Sequence, residues 1–113
     1  MKLLNMTSNQ LHIVFKMKFS DKVYKICKKI PKGKVSTYKA LAKALETKAY
    51  RAVGNALNNN PYKDVACYRI IGSNGSLVGF AHGLKKKAEM LRREGVEVKN
   101  NKVDLKKYLY KFK

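Results

Sequence analysis

The sequence predicts a mainly α domain with a small β element, a winged-helix-like helix-turn-helix domain. Three observations predict it. Apolar residues recur at helical spacing in several separate stretches, two of those stretches are short and joined by a tight break, and one apolar run, Val65–Ile71, reads as a strand. The chain's 113 residues suffice for a single modest core. With 45% hydrophobic residues it has the means to fold rather than remain a disordered basic tail.

Residues 1–18 are expected to form an N-terminal arm, with a short edge strand at Leu11–Phe15, and residues 19–113 the domain itself with a basic tail. Ser20 is placed to cap a first helix, in which Val23, Ile26, Cys27 and Ile30 share one face before Pro31 ends the run. Cys27 then belongs to the core. A second helix, capped by Thr37, runs from Tyr38 to Leu45, and a third covers Ala49–Asn59. In the third, Ala49, Val53, Ala56 and Leu57 turn inward, while Arg51, Asn55 and Asn58 line the outside. Ala52 and Gly54 beside that polar row let the backbone lie close to a nucleic-acid groove.

Pro61 stops the third helix, because it disfavours helical backbone in the residue before it. The strand carrying Cys67 follows, then a hairpin turn at Ser73–Ser76 and the run Leu77–Phe80. Gly79 and Gly83 bracket a loop, and a fourth helix extends from Leu84 to about Glu94, with Leu84, Ala88 and Leu91 on its inner face and Gly95 as its stop. A small hairpin of Val96–Val98 against Val103–Leu105 and a terminal helical turn with Leu105, Tyr108, Leu109 and Phe112 complete the prediction.

Charge narrows the function. Lys and Arg number 26 against 7 Asp and Glu, a formal +19 that repels itself unless a polyanion is near, which points to DNA or RNA. The polar residues Asn5, Thr7 and Ser8 break the opening before a signal sequence forms, and no run approaches the ~20 apolar residues of a membrane span. The expectation is an intracellular, cytoplasmic, nucleoid-associated monomer with no membrane partner. Cys27 and Cys67 with His12 and His82 make neither a disulfide framework nor a zinc site. No metal or cofactor is expected, and thiol chemistry falls to a free cysteine.

Several motifs occur in a telling order: Phe19–Tyr24, Ile30–Tyr38, Arg51–Gly54 followed by Asn60-Pro61, Cys67 with Arg69, then Gly75, Gly83-Leu84 and Glu94-Gly95. In this arrangement the chain resembles the C-terminal DNA-binding and catalytic domain of the O6-alkylguanine-DNA alkyltransferases, with Cys67 and Arg69 matching two members of their Pro-Cys-His-Arg signature. The resemblance implies a protein that binds duplex DNA through its helix-turn-helix from the minor groove, extrudes O6-alkylguanine and takes the alkyl group onto a cysteine in a single turnover. Implied DNA contacts are Thr37, Tyr38, Arg51, Ala52, Gly54, Asn55 and Asn58, with Arg51 filling the gap left by the flipped base.

For the chemistry, the resemblance makes Cys67 the nucleophile, Tyr38 a donor to the guanine ring nitrogen and Asn60 a tie between the third helix and the active segment. Lys63 and Arg69 make the thiol's surroundings electropositive. The family activates its cysteine through a histidine and a glutamate; here Tyr68 stands in the histidine's place and Glu94 is retained, implying an altered relay. Leu57, Arg69, Ile70, Val78, Gly79, Phe80 and Ala81 are the implied lesion pocket.

Two further departures stand out. Ala66 replaces the signature proline, and Ala81 occupies a position where some relatives carry a hydroxyl. Only about eighteen residues precede the resemblance, so the larger N-terminal domain of full-length members is not expected, as in the shorter alkyltransferase-like proteins. A lesion-binding protein that flags alkylguanine without transfer is therefore the alternative, and a plain basic winged-helix DNA or RNA binder the third reading.

Overall fold

The computed structural model describes residues 18–80 and 82–112. Residues 1–17 of the predicted arm, with its edge strand, lie outside the described residues, as do Ala81 and Lys113. Eight short elements follow in order: α1 (Phe19–Cys27), β1 (Ser36–Thr37), α2 (Tyr38–Ala44), α3 (Tyr50–Asn58), a single 3-10 turn (Cys67–Arg69), β2 (Ile70–Ile71), α4 (Leu84–Arg93) and α5 (Leu105–Tyr108). This is the predicted mainly helical domain with a small sheet.

Helix α1 forms where the periodicity placed it, but it starts at Phe19, with no side-chain cap, so Ser20 lies inside the first turn instead of capping it. Asp21 in that turn suits the positive end of the helix dipole. Lys29 and Ile30 continue beyond Cys27 with tightened bonds to the carbonyls of Ile26 and Cys27, which drops Ile30 into the core. The Tyr24 hydroxyl donates to the Ala56 carbonyl at 2.7 Å and so fixes α1 against α3.

Thr37 caps α2 as predicted: its Oγ1 accepts from the Ala40 N–H at 3.0 Å. The turn to α3 passes through Glu46 at φ 57, a left-handed conformation that glycine usually supplies. On α3, Val53, Ala56 and Leu57 are buried and Arg51, Asn55 and Asn58 exposed, as expected. Ala49 is exposed instead of buried, because the helix begins one residue later and leaves it at the cap.

The predicted strand Val65–Ile71 shrinks to two residues. Cys67–Arg69 coils into the 3-10 turn, with the Arg69 N–H on the Ala66 carbonyl at 3.0 Å, and only Ile70 and Ile71 pair, parallel to β1, in the register Ser36↔Ile70 and Thr37↔Ile71. The two isoleucines alternate as strand residues must. Ile70 enters a core with α1, α2 and α3, whereas Ile71 enters a second core with Val35, Leu77, Leu91 and the tail valines. The strand pair is thus the seam between two packed bodies, and truncating either isoleucine to alanine should cost about 3 kcal/mol.

Beyond β2 the tight turn forms, with Gly72 N–H on the Ser76 carbonyl at 2.9 Å. Gly75 there has φ +87, and an added Cβ would stand 2.5 Å from the Val103 carbonyl oxygen. Leu77–Phe80 does not pair back on β2. Its would-be partner is the tail: Leu77 N–H reaches the Asn101 carbonyl at 2.8 Å, and Val103 N–H reaches that of Gly75 at 2.9 Å. The tail hairpin accordingly closes only at Lys99 and Lys102, around Asn100 and Asn101 at positive φ, before its arms part. Helix α5, capped by Asp104, returns the chain to β1, where Val35 exchanges backbone bonds with Tyr108 and Tyr110.

Candidate functional site: a thiol beside a helix-turn-helix

Cys67 opens the 3-10 turn immediately before β2, so the sheet fixes it relative to the start of α2. It is half-buried and lines an open cavity of about 380 Å³. Asn60 shapes one side of that cavity. Its Nδ2 donates to the Val65 carbonyl at 2.9 Å and its Oδ1 accepts from the Tyr62 N–H at 2.9 Å, which ties the end of α3 to the thiol segment. Phe80 and Tyr68 are among the residues that line the rest of the cavity.

Behind the thiol lies a polar network. Tyr68 donates its hydroxyl hydrogen to Glu94 Oε2, and Arg69 grips the same carboxylate through Nε to Oε1 at 2.9 Å and Nη2 to Oε2 at 2.6 Å. The guanidinium also donates to the Ile30 carbonyl at 2.8 Å. Burial alone would raise the Glu94 carboxyl, but hydrogen bonds from Arg69, Tyr68 and the Gly33 N–H hold it below its usual value. Burial, and then the bond to Glu94, pushes Tyr68 up.

Tyr38, the first residue of α2, reaches across to the loop after Leu77, its hydroxyl lying 3.1 Å from the Gly79 carbonyl and 3.3 Å from that of Val78. Gly79 adopts φ +53, and an added Cβ would stand 3.2 Å from that hydroxyl. Burial raises the Tyr38 hydroxyl, with Cys67 the second cause.

One residue escaped the sequence reading. Lys87 is fully buried, donates to the Val78 carbonyl at 2.7 Å and lies 5.9 Å from the centre of the Tyr38 ring. Burial lowers it to about 8, against a smaller opposing effect of Cys67. The signal was present: Leu84, Lys87, Ala88 and Leu91 occupy i, i+3, i+4 and i+7, so a lysine sits on the apolar stripe of α4.

Other predicted residues fall elsewhere. Leu57 (4% exposed) and Ile70 (0%) pack in the first core, so neither presents a wall to the cavity. Arg69 points to Glu94 and Ile30 instead of the pocket, because the 3-10 turn breaks the alternation that would have aimed it beside Cys67. Val78 and Gly79 are exposed at the loop by Tyr38. Thr37 is 6% exposed with its hydroxyl used in the cap, so its side chain is no free DNA contact. Arg51, Ala52, Asn55 and Asn58 are exposed on α3, and nothing lies within 4 Å of a Cβ built on Gly54. That face is open to an incoming backbone. Among the described residues no helix is long and apolar enough to cross a membrane.

Fold and site together define a helix-turn-helix module with a partly exposed thiol held at the base of its second helix. Residues 18–96 match the family "6-O-methylguanine DNA methyltransferase, DNA binding domain", and the chain belongs to this family of O6-alkylguanine DNA repair proteins. A methylated-DNA–protein-cysteine methyltransferase of Methanosarcina mazei is 45% identical over 78 residues, covering 67% of this chain and 49% of its own length. A bifunctional methyltransferase/endonuclease of Picrophilus torridus is 42% identical over 90 residues, 78% of this chain and 30% of the relative. The chain thus spans half or less of these curated relatives. Among solved structures, S. pombe Atl1 in complex with damaged DNA containing O6-carboxymethylguanine superposes with a TM-score of 0.75 at 29% identity, over 95% of this chain and 100% of Atl1. Mycobacterium tuberculosis OGT in complex with DNA gives 0.66 at 34% identity, over 70% of this chain and 49% of that one.

Proposed function

We propose that this chain repairs DNA directly, moving an alkyl group from O6-alkylguanine in duplex DNA onto Cys67 in a single turnover. In this reading residues 19–113 are the DNA-binding and acceptor domain, working as a monomer on intracellular DNA, and residues 1–18 are an arm. Helix α3 lies along the duplex with Asn55 and Asn58 toward it, and Arg51 fills the space vacated by the extruded base. Extrusion costs a few kcal/mol, least for a lesion that already pairs badly.

The observation that carries the proposal is Cys67 itself, half-buried on an open cavity whose lining also includes Tyr68, the partner of Glu94. The Cys67 thiolate attacks the alkyl carbon, the sulfur–carbon bond forms as the carbon–O6 bond breaks, and the electron pair stays on guanine, which then takes up a proton. Tyr38 releases its carbonyl partners and donates to the guanine ring as negative charge develops there. Asn60 holds the thiol segment in register with α3.

A second reading has one observation in its favour. The Glu94 carboxylate is already engaged by Arg69 and Tyr68, and it sits below its usual value, so it is a weak final acceptor for a proton leaving Cys67. Such a protein would bind the lesion and leave it unaltered. Both are tested by incubating the protein with a duplex containing O6-methylguanine and measuring intact mass. Transfer adds about 14 Da on Cys67 and nothing in Cys67→Ala. Lesion-selective binding without a mass change supports the second reading, and binding with no lesion preference overturns both.

A further inference from the structure

Resting on the alkylguanine reading above, we propose that the Cys67 cavity selects anionic alkyl groups, carboxymethyl above all, and that Lys63 and Lys86 are the residues that confer the preference. The cavity is bounded by Lys63 on the loop before the thiol, by His82 on the loop after Phe80 and by Lys86 on the first turn of α4. These three come from separate segments and converge on the space in front of one sulfur. Among the described residues no Asp or Glu lines that space.

Charges already committed to the fold are excluded from this rim. Arg69 is consumed by Glu94, and Lys87 is turned onto the Val78 carbonyl. Neither Lys63 nor Lys86 is in an ion pair among the described residues, where carboxylates pair with Lys28 and Arg69. Both lysines are exposed, and the flexible four-carbon stem of a lysine lets its ammonium turn onto a ligand at the cavity mouth. The apolar surface beside them, from Tyr62, Phe80 and Met90, suits the methylene of the alkyl group while the ammoniums meet its far end.

A methyl group offers nothing to these cations. A carboxymethyl group carries a carboxylate beyond the reacting methylene, into the cavity that Lys63 and Lys86 also line. In the reaction the thiolate displaces O6 from the methylene carbon, leaving S-carboxymethyl-Cys67 and guanine, with the carboxylate charge unchanged throughout. The bound anion also adds negative charge near the attacking thiolate, which by itself would slow the attack; the cationic rim offsets that repulsion.

The test uses one duplex sequence carrying O6-methylguanine, O6-carboxymethylguanine or its neutral near-isostere O6-carbamoylmethylguanine. Binding is measured by competition and single-turnover transfer by intact mass, the carboxymethyl product adding about 58 Da at Cys67. Because the duplex is constant, phosphate contacts cancel in the ratio. The full-length protein should favour carboxymethyl over carbamoylmethyl at least about five-fold at low salt, a preference that salt erodes because the rim is exposed. In Lys63→Gln/Lys86→Gln the ratio should fall toward one. Parity in the parent protein while methylguanine is still recognised, or a ratio unmoved in the double variant, overturns this inference and leaves the alkylguanine reading standing. Failure to distinguish methylguanine from guanine overturns both.

Discussion

Arg69 and Glu94 meet in a two-point ion pair, with Nε 2.9 Å from Oε1 and Nη2 2.6 Å from Oε2, both side chains largely withdrawn from solvent. A pair of this kind holds the thiol-bearing turn to the end of α4. Arg69→Met leaves Glu94 buried without its counter-ion and should cost about 3 kcal/mol in urea unfolding, part of which Arg69→Met/Glu94→Gln restores. Since Glu94 is held below the usual 4.5, its share of stability is intact above that value and is lost as the pH falls through the lowered one. The acid limb of the stability curve should flatten in the double variant.

Lys87 predicts the opposite limb. Its ammonium is lowered from 10.5 to about 8, so between these values the unfolded chain holds a proton that the folded protein has released. Stability attributable to Lys87 therefore rises with pH across that window, by up to about 3 kcal/mol. The rise should be absent from the difference curve of Lys87→Met, measured by thermal or urea unfolding from pH 7 to pH 10.5.

Gly54 separates fold from function. A helix-interior glycine with open space at its Cβ should yield about 1 kcal/mol of stability on replacement by alanine. If α3 presents this face to DNA, Gly54→Ala weakens duplex binding while the protein becomes more stable. Unchanged affinity would place the DNA on another face.

The two thiols should behave differently. Burial, with Cys67 nearby, pushes Cys27 up to about 12, and it is 1% exposed, whereas Cys67 opens on the cavity. Thiol titration of the native protein should find one reactive group, lost in Cys67→Ala, and two after denaturation.

If Cys67 accepts the alkyl group as proposed, Tyr68 bears on the rate. A phenol raised above 10.0 and bonded to Glu94 is a poorer base than an imidazole near 6.5. Tyr68→His should accelerate single-turnover methyl transfer, and a rate at or below the parent's would show that Tyr68 is no impediment.

Helices were legible in the sequence because burial of one face imposes a period that residues such as Val53, Ala56 and Leu57 display directly. The Thr37 cap and the Gly95 stop were legible for similarly local reasons. The Cys67–Ile71 segment was not, because its shape is set by a distant partner: Arg69 turns toward Ile30 and Glu94, and no local pattern announces a bond spanning 25 residues. Ile70, which the resemblance implied as a pocket wall, packs in the first core with α1, α2 and α3, a placement set by long-range packing and not by its neighbours in sequence. Lys63, His82 and Lys86 converge only once two loops and the first turn of α4 are folded together.

The tail gives the module a boundary that homology alone would misplace. The family match ends at residue 96, yet Val35 beside β1 takes its backbone partners from Tyr108 and Tyr110, and Gly75 takes one from Val103. Cutting the chain at the end of the match would bare an unpaired edge next to the very strand that seats the thiol segment, inviting edge-to-edge association between copies. Anyone grafting this domain into a fusion protein should carry the sequence through Phe112.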